Sequence, residues 1–330
     1  MKNKLMGAFL LLTVFLVLSA CSGKDANEEV EKDDATDKQA KQTEKILIDN
    51  EDFVIEYTEV PKRAISLNQH VTEIMLALGL EDSMVGTAYL DDKVYEPLQE
   101  AYEKVPVLAE QYPSKEQIIE AEADFLYGGW SSAFSEKSVA TREEFKALDI
   151  DSYLQSSSVN VAPSLEDIYA DIRNIAKIFR VEERGEKLID EMNQDIEAIT
   201  SKMPEATEPL KVFVFDSGET DITTATQNFM NTLVTMAGAK NVFGDIESNW
   251  ATVSKEDAVE RQPEMIVIID YGSTTAEQKI AFLKADPALS QTPAVQNEKF
   301  VMLPLSAASE GVRVAEALEI LAKGFYPEAY

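Results

Sequence analysis

The side chains of this chain that could do chemistry point to recognition rather than reaction. There is a single histidine, His70, and a single cysteine, Cys21, so no Cys/His metal cluster can be drawn. No G-x-S-x-G nucleophile elbow or glycine-rich phosphate loop occurs. With 60 Asp and Glu against 30 Lys and Arg, carboxylates are too abundant for any pair to stand out as a catalytic acid and base. No enzyme, no metal site and no resident cofactor is expected. What does stand out is a set of aromatics outside any apolar period: Trp130 and Trp250, the only tryptophans, with Tyr89, Tyr112, Phe134 and Tyr271. Such rings either line a ligand cleft or pack loops. Three polar residues join them. Asn68 and His70 follow an apolar strand, where His70 can contact a ligand or cap the next helix. Arg313 opens the last helix, as a cleft cation for an acidic ligand group or as a salt-bridged helix residue.

The elements that must position these residues alternate strand and helix, which predicts α/β architecture with a largely parallel sheet. Arg63–Leu67 runs into Asn68–His70, Phe125–Tyr127 into Gly128–Phe134, and Lys211–Phe215 into Asp216–Gly218. Met265–Ile269 ends at Asp270–Gly272, and Phe300–Leu303 at Pro304–Ala308. Ligands of open α/β sheets bind outside the carboxyl ends of strands, and most of the candidates fall there. Nearby loops add Tyr89, Tyr112 and Trp250. Helices are predicted over Val71–Leu78, Gln227–Met236 and Val312–Phe325.

A repeat organises the whole. Ser114-Lys-Glu-Gln-Ile-Ile-Glu and Ser254-Lys-Glu-Asp-Ala-Val-Glu share Ser, Lys and two Glu in one ungapped register, 254 − 114 = 140 residues apart. Each copy reads as a Ser-capped short helix with Glu116 or Glu256 in its first turn, followed by an apolar strand. Two copies so far apart predict two similar lobes rather than a solenoid. Between them, Ser164–Met203 carries an apolar stripe at helical spacing (Val181, Leu188, Ile189, Met192, Ile196, Ile199, Met203) and reads as a long, unbroken strut. The expected partition is lobe 46–163, interlobe helical segment 164–203 and lobe 204–330.

Ahead of the lobes, residues 1–20 have the lysines, apolar run and small-residue end of a secretory signal. Ser19-Ala20-Cys21 looks like a bacterial lipobox, which implies a lipid on Cys21; the plainer alternatives are an ordinary signal or a membrane span. Residues 21–45 are polar, charged and nearly devoid of large apolar side chains, a disordered tether. The formal net charge of −30 therefore sits mainly on the folded body, which argues against nucleic acid and leaves the lipid as the membrane contact.

Taken together, Pro61-Lys-Arg-Ala-Ile-Ser-Leu with Thr72-Glu73 and Leu78-Gly79-Leu80, Val181-Glu-Glu-Arg184, Ala237-Gly238 with Asn241-Val-Phe243, and Trp250 before Val253-Ser-Lys-Glu256 resemble a known family. It is that of the lipid-anchored substrate-binding proteins of ABC importers for iron siderophores, haem and corrinoids. The resemblance implies two similar α/β lobes joined by a long rigid helix, a ligand cleft between them, and a monomer that passes a metal chelate to a permease. It assigns Glu116 and Glu256 to permease docking, against a bare helix-dipole role. Trp250 matches a cleft position of corrinoid-binding members. A ferric siderophore is the leading ligand on these grounds, with haem (His70 and tyrosines as axial ligands) and a corrinoid as alternatives. A surface-attached enzyme and an adhesion lipoprotein stand further off.

Overall fold

The computed structural model describes residues 45–135, 137–204 and 208–329. The expected signal peptide, Cys21 and all of the tether except Lys45 lie outside the described residues. The described chain opens on an antiparallel hairpin of β1 (Ile46–Asn50) and β2 (Phe53–Tyr57). Ile46, Ile48, Ile55 and Tyr57 point inward while Leu47 and Val54 are exposed, the period-two alternation of a strand with one wet face.

A five-stranded parallel sheet follows: β3 (Ala64–Leu67), β4 (Met84–Ala88), β5 (Val107–Ala109), β6 (Phe125–Gly128) and β7 (Asp151–Leu154), in the order β5-β4-β3-β6-β7. The second sheet holds β8 (Leu210–Ser217), β9 (Ile222–Ala225), β10 (Ala239–Asn241), β11 (Trp250–Val253), β12 (Met265–Asp270) and β13 (Phe300–Pro304), in the order β11-β9-β8-β12-β13 with β10 also alongside β8. The central strands β3 and β6 are buried throughout, as is β12 up to Asp270. Strands covered on both faces read as continuous apolar runs, which is why the sequence reveals them. The antiparallel strands β9 and β11 escape that test. Trp250, expected in a loop, lies on the edge strand β11, paired with Ala225; four residues are too few to show a period.

Helices of six residues or more are α1 (Gln69–Ala77), α2 (Lys115–Glu120), α3 (Leu165–Ile178), α4 (Glu182–Thr200), α5 (Phe229–Met236), α6 (Lys255–Glu260), α7 (Ala276–Ala285) and α8 (Val314–Phe325). The repeat is built as read. Ser114 Oγ accepts from Gln117 N, and Ser254 Oγ from Asp257 N. Lys115 pairs with Glu144 at 2.9 Å and Lys255 with Asp286 at 2.7 Å. β6 and β12 each lie beside the first strand of their sheet.

The interlobe segment is helical but not one helix. α3 ends at Ile178 with Phe179 as its C-cap, Arg180 takes a φ of 58°, and α4 starts at Glu182. The two run antiparallel, joined by Tyr169–Asn193 at 2.9 Å and Arg173–Glu186 at 2.8 Å. Gly185 permits the approach: a Cβ there would lie 2.7 Å from that of Ala176. No Gly or Pro marks the break, so periodicity reads through it. α4 alone makes the crossing. Its start is tied to the first half by Arg184 Nη1, which donates to the Leu78 and Gly79 carbonyls, and its body packs on α8 of the second half. Nineteen residues at 1.5 Å rise span about 28 Å.

Candidate functional site

The strand ends of the second half enclose most of one cavity of about 310 Å³. β8 delivers Asp216, β9 Thr223, β12 Ile269 with Tyr271 just past its end, and the turn after β13 contributes Leu305, Ala308, Ser309 and Glu310. Asn228 and Met230 at the start of α5 and Trp250 on β11 complete that side. The first half contributes Trp130, and Ser158 closes the gap between the halves. No Lys or Arg is among these lining residues. The acidic groups among them are two carboxyls, Asp216 and Glu310, and both tryptophans line the same cavity.

The two carboxyls differ in what surrounds them. Asp216 Oδ2 accepts from Ser217 Oγ at 2.8 Å and from Tyr271 Oη at 3.1 Å. Burial, and then Asp216, push the Tyr271 phenol up to about 12, so it stays a donor. Glu310 Oε2 accepts from Ser158 Oγ at 3.2 Å. Burial pushes the Glu310 carboxyl up to about 7 against the pull of its own backbone N–H and of Ser158, and nearby Asp171 adds to the rise.

Of the residues expected from sequence, Trp130, Trp250 and Tyr271 line this cavity. Trp250 is 44% exposed at its rim. His70 does not line it. Its ring lies behind Trp130, 5.0 Å between centroids, and Nε2 is 3.5 Å from Ser158 Oγ. Burial holds His70 down to about 4, so it is a neutral imidazole one layer back. Asn68 is buried as well. Its Oδ1 accepts from Tyr112 Oη at 3.0 Å and Gly129 N at 3.2 Å, which holds the residue at φ 113°, ψ 153°, a conformation otherwise kept for glycine. Tyr112 in turn meets the edge of Tyr89 at 4.6 Å. These two rings and Asn68 form a network within the first half. Phe134 is turned away: it covers Gly128, where an added Cβ would strike its ring at 2.4 Å.

Arg313 requires a correction. It is buried, with Nε donating to Glu73 Oε2 at 2.8 Å and Nη2 to Glu73 Oε1 at 2.5 Å and the Lys93 carbonyl at 2.6 Å. Its charge is matched inside the protein by a residue 240 positions away, so it is an interlobe clamp rather than a free cleft cation. Glu116 and Glu256 are exposed first-turn residues of α2 and α6. Glu310, Ser158 and Asp216 escape the residue-by-residue reading of the sequence. Asp216 stands in a flagged loop and Glu310 two residues past another, yet in so acidic a chain only burial singles them out.

A family model described as periplasmic binding protein matches residues 65–307. An ABC transporter substrate-binding lipoprotein of Bacillus subtilis, YvrC, whose function is uncharacterized, is 28% identical over 327 residues, covering 97% of this chain and 96% of that one. A vitamin B12-binding protein of Pectobacterium atrosepticum is 27% identical over 213 residues, 63% of this chain and 72% of that one. The crystal structure of a periplasmic binding protein from Veillonella parvula superposes with a TM-score of 0.79 at 29% identity, covering 86% of this chain and 98% of that one.

Proposed function

This chain belongs to the periplasmic binding protein family, and from that premise we propose that the ligand it carries is a corrinoid. Membership makes it an extracytoplasmic substrate-binding protein of an ABC importer, a solute-carrying class rather than a catalytic one. The observation that carries the ligand reading is a cavity with a tryptophan from each half, two carboxyls and no basic lining residue. A corrinoid is a broad, largely apolar ring whose rim carries amides, and amide N–H groups are the donors that carboxyls accept. Haem presents carboxylates, which would meet Asp216 and Glu310 with no cation between them. The vitamin B12-binding proteins aligned with this chain support the same ligand class. At about 310 Å³ the cavity is small among ligand sites, which run about 300–1,000 Å³; the macrocycle enters by one edge, with the half-exposed Trp250 against the part left outside.

The siderophore reading that leads from sequence comes second, and only for a neutral ferric hydroxamate, which the lack of lining bases also suits. In this proposal Glu116 and Glu256 meet the permease, and a lipid on Cys21 holds the protein at the membrane. Tryptophan emission titrated with cyanocobalamin, haemin and ferrichrome tests the ligand. Saturable quenching by cyanocobalamin is expected; quenching by haemin or ferrichrome alone overturns the corrinoid reading.

A further inference from the structure

Four acidic residues are buried among the described residues: Glu73, Asp171, Asp216 and Glu310. Three are answered from within. Glu73 has Arg313, Asp171 takes the Tyr153 hydroxyl and the Ser156 and Ser157 amides, and Asp216 takes Ser217 and Tyr271. Glu310 is different. Ser158 is the one side chain that donates to it among the described residues, no cation lies in its cavity, and the charge acting on it, Asp171, has the same sign. A buried carboxylate so placed is costly until a donor reaches it.

Its position is nevertheless fixed. The Glu310 carbonyl accepts from Gln155 Nε2 at 3.0 Å. Gln155 also donates to Ser157 at 2.9 Å and takes a short bond from the Tyr127 hydroxyl. Gly311 rests on His70, where an added Cβ would stand 3.0 Å from the histidine Cβ. The turn bearing Glu310 therefore belongs to the second half but is seated on the first. A group held this firmly in a cavity wall, and left short of donors, is completed by whatever occupies the cavity.

We propose that Glu310 selects ligands by charge: steadied by Ser158, its carboxyl accepts a hydrogen bond from an amide-bearing ligand and turns away one that presents carboxylates. This rests on the corrinoid reading for the identity of the accepted ligand, but the exclusion does not. The titratable groups around it are His70 behind Ser158, Asp171 on α3, and Asp216 and Tyr271 among the other lining residues of the cavity. His70 stays neutral near neutral pH, its value held to about 4. Burial puts Asp171 at about 6, so Glu310→Gln is needed to separate the two carboxyls.

The test is the affinity of the wild-type protein and of Glu310→Gln for cyanocobalamin and for haemin, by tryptophan quenching. Losing one charge-assisted bond should weaken cyanocobalamin about tenfold, and losing the charge should strengthen haemin by a similar factor. In the wild type, cyanocobalamin should bind more tightly and haemin more weakly as pH rises from about 6 to about 8, and Glu310→Gln should flatten both trends. Glu310→Asp keeps the charge and should still exclude haemin, which guards against a variant that merely folds poorly. If cyanocobalamin fails to bind the wild type, the corrinoid reading falls and the haemin arm still decides the selection. Haemin binding to Glu310→Gln no better than to the wild type overturns the proposal.

Discussion

The two halves of this protein agree on the outside and differ on the inside. On the outside, Ser114-Lys115-Glu116 and Ser254-Lys255-Glu256 are built alike. In each the serine caps its helix and the lysine ties to an acid of a later element, while the glutamate is left exposed. On the inside, the first half closes its strand ends with its own groups, Asn68 on Gly129 and Tyr112, and His70 beneath Trp130. The second half leaves its strand ends open as the cavity and places Asp216 and Glu310 in its wall. The two halves share a pair of exposed helix starts, while most of the cavity lining comes from one side. The first half supplies a lid ring, Trp130, and a rigid backing for it.

The largest effect should come from cutting the buried ion pair between the halves. Glu73→Ala leaves the buried Arg313 guanidinium with only Glu316 at 3.5 Å and the Lys93 carbonyl, and removing one member of a buried pair costs about 3–5 kcal/mol. Urea denaturation should register that loss as a lower midpoint. A loss below about 1 kcal/mol would mean that the pair behaves as a surface bridge and that other contacts hold the halves together.

Next in size is the backing of the first half. His70 is held to about 4 from an unfolded value near 6.5. The unfolded chain therefore binds a proton first as pH falls, so this contribution is present in full above about pH 6.5 and is lost down to about pH 4, by about 3 kcal/mol. Asp171 and Glu310 act in the opposite sense, since their folded values are raised to about 6 and about 7 and acid favours their folded forms. The difference between wild type and His70→Gln across that range isolates the histidine. A difference independent of pH would place His70 in contact with water.

The tryptophans sharpen the contrast at about 1–3 kcal/mol of binding, the scale of a buried aromatic anchor. Trp250→Ala removes a rim contact, so it should weaken cyanocobalamin at least tenfold with little change in urea midpoint. Trp130→Ala also uncovers His70 and should lower both. Equal effects of the two on stability would contradict the division into ligand-facing rim and self-packed backing.

Much of this layout is legible in the sequence, and the limits have physical causes. The buried parallel strands announce themselves because both faces need apolar side chains, as in Met265–Ile269. The repeat survives because capping fixes Ser, Lys and Glu at set places in a first turn. What does not show is anything decided by distant contact. Arg313 looks like a free cation until Glu73 is found against it. His70 looks available until Trp130 covers it. Glu310 is one acid among 60 until the fold denies it a counter-charge. The break at Arg180 is hidden because a non-glycine residue takes the left-handed turn there.

The smallest effect on the isolated protein should come from the symmetric exterior. Glu116 and Glu256 are exposed and take no part in the cavity, so Glu116→Ala with Glu256→Ala should change stability and cyanocobalamin affinity by no more than about 0.5 kcal/mol. Uptake by cells carrying the partner permease should nevertheless collapse under the proposed docking role, which assigns one glutamate to each half. Each single variant should retain part of it, and by a similar amount, since the two helix starts are built alike. Normal uptake by the double variant would reduce both glutamates to helix-dipole partners. Unequal single variants would show that the asymmetry of the interior extends to docking as well.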